Sequence, residues 1–61
     1  MNKIFNLGQV VRLIKGDVIG KIINVDVDRN SNTIYQLQIP NDPHKRWFLA
    51  RDLELFHHKE L

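Results

Sequence analysis

Two runs rich in β-branched residues, Val10-Val11-Arg12-Leu13-Ile14 and Val18-Ile19-Gly20-Lys21-Ile22-Ile23-Asn24-Val25, are separated only by Lys15-Gly16-Asp17. Valine and isoleucine suit the pleated, half-buried surface of a sheet, and a Gly-Asp pair supplies a reversal. The stretch therefore predicts a β-hairpin. Arg12 belongs in water, which turns Val11 and Leu13 inward. Gly20, inside the returning run, reads as a bulge or sharp bend of the kind that curls a small sheet towards closure.

The rest of the chain extends this sheet. Beyond Gly20 the inward set slips by one residue, which a bulge near Ile23-Asn24 would produce in a strand over 18–28. Arg29-Asn30-Ser31-Asn32 reads as a loop whose asparagines tolerate left-handed backbone. Thr33 to Ile39 alternates cleanly, with Tyr35, Leu37 and Ile39 on one face and Gln36 and Gln38 on the other. Pro40 cannot donate to a ladder and ends that strand. A turn over 41–45, a strand over 46–50, one helical turn over 51–53 and a strand over 54–56 complete the pattern. Ile4, Phe5 and Leu7 are expected to cover an open end of the barrel, and 57–61 forms a frayed tail. The expectation is all-β: a five-stranded barrel in one domain, 1–61, with its core within 7–56.

Size sharpens the demand on that core. A chain of 61 residues lies near the lower limit for independent folding, and with no cysteine it has no disulfide or thiolate metal site to support it. The 43% of hydrophobic residues must supply a single adequate core. The formal net charge of +2 is a weak field, which permits nucleic-acid contact without requiring it. No apolar run is long enough for a secretory signal or a bilayer span, so the cytoplasm is the expected compartment. The ending His58-Lys59-Glu60-Leu61 resembles a retention signal only by chance, because retrieval requires prior entry into the lumen.

The spaced residues Gly8, Val11-Arg12-Leu13, Gly20, Ile22, Val25, Tyr35, Leu37, Phe48 and Leu53-Glu54 resemble the pattern of the SH3-like barrel superfamily. The resemblance covers about 7–56. It is greatest to small stand-alone barrels, the accessory subunits of photosynthetic electron-transfer complexes, and to KOW and Tudor-like modules. It implies a five-stranded barrel with one short 3-10 turn before the last strand. It also implies a docking or nucleic-acid-binding role, because the fold alone hosts many functions. A plasmid-borne dihydrofolate reductase shares this pattern, but its cofactor-reading Val-Gln-Ile-Tyr strand is replaced here by Lys45-Arg46-Trp47-Phe48. The resemblance therefore carries no reductase activity across.

The residues themselves favour binding over catalysis. The only hydroxyl side chains are Ser31, Thr33 and Tyr35, and Ser31 sits in a loop with no histidine near it in sequence. Asn24, Asp26 and Asp28 alternate along one strand, but a hard cation wants six or more oxygens from a wrapping loop. His57 and His58, adjacent on extended backbone, point apart and cannot share a metal. Neither catalytic residues, a cofactor, a metal nor a small-molecule substrate is expected.

The resemblance implies that Phe48 faces inward with Leu53 and Leu55, which turns Trp47 outward beside His44, Lys45, Arg46 and Arg51. An exposed indole among cations can stack on a base or grip a partner's side chain. Arg12, Lys21 and Arg29 extend the basic area. The competing orientation lays Trp47 across the barrel mouth against Ile4 or Phe5. The expected ligand is a partner protein in a larger complex, with nucleic acid as the alternative. The chain itself is expected to be a monomer or, through its β edges, a weak homodimer.

Overall fold

The computed structural model describes residues 4–56. The lead-in residues 1–3 and the whole tail 57–61, including both tail histidines, lie outside it. The fold is all-β. Five antiparallel strands run in the order β1 (Val10–Leu13), β2 (Val18–Val27), β3 (Thr33–Gln38), β4 (Trp47–Leu49) and β5 (Leu53–Leu55), with one 3-10 turn, Ala50–Asp52, between the last two. Spatially the order is β4-β3-β2-β1-β5, an arrangement consistent with a small barrel.

The long second strand makes this possible. Its first half pairs with β1 (Val11 opposite Gly20, Leu13 opposite Val18), and its second half pairs with β3 (Ile22 opposite Leu37, Val25 opposite Tyr35). The register shifts between Ile22 and Asn24, so the expected bulge is present. An extra residue bends a strand and increases its twist, which lets one strand serve both halves of the sheet.

At Gly20 itself there is no bulge. The ladder with β1 runs through Gly20 without interruption. A Cβ built there would lie 3.1 Å from Ile39 Cγ1, 3.2 Å from the Gln38 carbonyl oxygen and 3.3 Å from Leu37 Cβ. The end of β3 passes so close that a side chain here requires its neighbours to give by a few tenths of an ångström.

The core comprises Phe5, Val11, Ile22, Tyr35, Leu37 and Leu53, with Leu13, Ile39, Phe48 and Ala50 packed around it. The inward set is therefore the one that alternation predicts, with three corrections at its margins. Ile4 and Leu7 do not cover the open end, being 79% and 64% exposed. Of Ile4, Phe5 and Leu7 only Phe5 is buried: its ring meets Tyr35 edge-on at 5.3 Å, and its backbone N–H donates to the Tyr35 hydroxyl at 3.2 Å. Leu55, at the end of the outermost strand β5, lies opposite the buried Val11 and is exposed.

Side chains also organise the turns. Asp28 accepts from the backbone N–H groups of Asn30 and Asn32, both at 2.9 Å, and residue Ser31, not an asparagine, takes the positive φ of 65°. In the next loop Asp42 N–H donates to the Ile39 carbonyl. Pro40 and Asn41, the latter at φ 67°, occupy the central positions that a type II turn favours for these two residues. The first hairpin closes through Gly16 at φ 104° and Asp17 at φ 54°.

Candidate functional site

The β4 strand decides the orientation that sequence leaves open. Phe48 lies opposite Tyr35 and packs against the core, while Trp47 lies opposite Gln36 on the outer face and is 41% exposed. Phe5, not Trp47, is the aromatic buried against Tyr35. On a pleated strand the inward turn of one aromatic dictates the outward turn of its neighbour.

The outer face around Trp47 has a defined floor. Gln36 Nε2 donates to the Lys45 carbonyl at 3.1 Å, and Gln36 Oε1 accepts from Asn24 Nδ2 at 2.8 Å. A row of amides thus runs from β2 across β3 to the segment that carries Lys45, Arg46 and Trp47. Two further bonds hold that segment: Leu37 N–H donates to the Arg46 carbonyl at 3.0 Å, and His44 N–H donates to Asp42 Oδ1 at 2.9 Å. Next to Trp47 on the same face lie Leu49 and its cross-strand partner Ile34, both half-buried. The result is an indole on an apolar and amide floor, at an edge strand, with exposed His44, Lys45 and Arg46 leading into it.

The other basic residues are distributed elsewhere. Arg12 lies half-buried on the outer face of β1 and is occupied. Its Nε donates to Glu54 Oε2 at 2.7 Å, its Nη2 donates to the same oxygen, and its Nη1 donates to Asp17 Oδ1 at 2.8 Å. These bonds, to Glu54 first and Asp17 second, hold the guanidinium above its ordinary pKa. Lys21, opposite Val10 and Gln38, borders an open hollow formed with Gln38 and the Pro40–Pro43 turn. Arg29 sits in the β2–β3 loop. Arg51 stands on the 3-10 turn and borders a cleft with Phe48 and Leu13. Among the described residues Lys45, Arg46 and Arg51 take part in no ion pair.

Gln36 and Asn24 are the members of this face that sequence reading misses as site residues. Alternation marks Gln36 as outward, yet nothing in the order of residues tells which strand its amide will meet. Asn24, Asp26 and Asp28 each hold a local hydrogen bond, to Gln36, to Val27 N–H and to the loop amides respectively. Among the described residues no cluster of three or more His, Cys, Asp or Glu side chains is placed to hold a metal ion, and no helix is long and apolar enough to cross a membrane. Comparison of the chain with protein-family models, with curated proteins and with solved structures gave no match.

Proposed function

We propose that this chain is a non-catalytic binding module of the SH3-like kind, which docks an acidic partner protein into a larger complex through the face around Trp47. The observation that carries the proposal is the orientation of Trp47, exposed on the outer face while its neighbour Phe48 packs into the core. Tryptophan and arginine are the residues most enriched in binding hot spots, and such residues work best on a floor that is already ordered. The Asn24–Gln36–Lys45 amide row provides that order. The strand order and the 3-10 turn before β5 support the SH3-like reading.

The cations here make an acidic partner the best match. Lys45 and Arg46 have no carboxylate partner among the described residues. Arg12 is withdrawn from the contact set by Glu54 and Asp17. Nucleic acid needs a line of unoccupied cations along its backbone, and Lys21, Arg29 and Arg51 stand on three different elements, which makes it the weaker ligand.

The test is a pull-down from extract of the organism that encodes the chain, using wild type and Trp47→Gln, with folding of both checked by amide NMR spectra. A partner held at this face is lost, or weakened by roughly 30-fold or more, in the variant, as expected for a hot-spot residue of about 2 kcal/mol. Unchanged partner binding in Trp47→Gln overturns the proposal. Salt-sensitive shifts at Trp47 on adding an oligonucleotide, with no protein partner captured, replace it with the nucleic-acid reading.

A further inference from the structure

On the opposite side of β4 from Trp47, the end of β1, the following turn and the 3-10 turn enclose a cleft of about 400 Å³, lined by Leu13, Ile14, Lys15, Phe48, Arg51 and Asp52. This is at the small end of the range for ligand-sized sites. Leu13 and Phe48 are anchored against the core and supply an apolar floor. The two walls are tied together, because Ile14 N–H donates to the Asp52 carbonyl at 3.0 Å. The opening carries two cations, Lys15 and Arg51, against one carboxylate, Asp52. Asp17, the other acid of this turn, is paired with Arg12, and Lys15 takes part in no ion pair among the described residues.

We infer that this cleft is a second docking site, for an acidic peptide segment that seats one large apolar side chain on Leu13 and Phe48 and places flanking carboxylates on Lys15 and Arg51. The inference rests on the docking reading for the kind of partner, but its residues are separate from the Trp47 face. Apolar floor and cationic rim together select an acidic segment with an embedded hydrophobic residue. A purely acidic segment leaves the floor uncovered, and a purely apolar one leaves the two cations without partners. Arginine adds geometric selection, since its planar fork matches a carboxylate.

The experiment is an NMR titration of the ¹⁵N-labelled full chain with an acetylated, amidated pentapeptide that has one leucine between two pairs of glutamates. The expected result is amide shifts at Ile14, Lys15, Phe48 and Arg51, with affinity reduced about tenfold by Lys15→Glu or Arg51→Glu, or about 1.4 kcal/mol. Lys15→Gln and Arg51→Gln give smaller losses in the same direction, and Trp47→Gln binds the peptide as wild type does. A peptide with lysines in place of the glutamates gives no shifts at these residues. Equal affinity in the charge-reversed variants, or no shifts at the cleft, overturns the inference. Shifts confined to Trp47 overturn it while leaving the docking reading intact. Cleft shifts combined with an unaffected pull-down by Trp47→Gln leave the cleft standing and remove the Trp47 face. An oligothymidylate that shifts the same residues and is not displaced by the peptide makes the cleft a phosphate site, and this too overturns the inference.

Discussion

Arg12 and Glu54, 42 residues apart in sequence, are joined across the β1–β5 ladder by two donors to one carboxylate oxygen. They are cross-strand partners on the outer face, and Asp17 in the β1–β2 turn closes the cluster from the other side. The last strand is only three residues long, so this polar clasp supplements a short ladder. Arg12→Ala and Glu54→Ala are each expected to lower the unfolding temperature, and the double variant is expected to lose less than the sum. The coupling should shrink between about 0.01 and 1 M salt, where the screening length falls from roughly 30 to 3 Å. A guanidinium raised in the folded state stabilises fully below its unfolded value and loses that contribution only as pH rises through the higher folded one. Over ordinary pH this group's contribution is therefore flat. Additive losses that do not respond to salt would show the clasp to be inert.

Tyr35 offers a cleaner test of the core. Its hydroxyl accepts from Phe5 N–H inside the protein, linking the lead-in segment to β3. Tyr35→Phe keeps the edge-on ring contact and removes only the acceptor. A buried N–H left without a partner costs about 1–3 kcal/mol. Urea denaturation should report a loss in that range, with faster hydrogen exchange at the Phe5 amide. A loss well below it would mean that water reaches the Phe5 amide.

Gly20 is expected to reject even one methyl group. The Cβ of Gly20→Ala would press on the Gln38 carbonyl oxygen and on Leu37 Cβ, neither of which can rotate away. Overpacking of this kind costs about 1–3 kcal/mol. The variant should unfold at lower urea and show its largest NMR shifts at residues 37–39. If instead Gly20→Ala is neutral, β3 is able to move off β2 there.

Much of this architecture could be read from the residues because period two is local information. Tyr35, Leu37 and Val11 declare their facing by alternation, and the slip after Ile22 declares the bulge. What could not be read is whatever depends on two distant strands meeting. That Arg12 finds Glu54, that Gln36 reaches the Lys45 carbonyl, and that Gly20 lies under Ile39 are all consequences of register. The same limit applied to the candidate site. The outward turn of Trp47 followed from Phe48, whereas the placing of Arg51 beside the Phe48 cleft and of Lys21 beside the Pro40–Pro43 turn followed only from the folded sheet. The cleft beside Phe48 joins the β1–β2 turn to the 3-10 turn, a pairing that no local pattern announces.

Trp47 and Phe48 should respond to truncation differently although they are chain neighbours. Phe48 packs against Tyr35 and the core, so Phe48→Ala is expected to cost about 3 kcal/mol, the low end for phenylalanine because the ring is only partly covered. A domain of 61 residues holds roughly 3–9 kcal/mol in total, so this one change consumes a large part of it. Trp47 lies on the outer face, and Trp47→Ala is expected to cost about 1–2 kcal/mol while abolishing partner capture. The comparison needs only urea titrations of the two variants and one binding assay. Should Trp47→Ala unfold the chain as readily as Phe48→Ala, the indole is a structural cap, and the exposed face loses its claim to a partner.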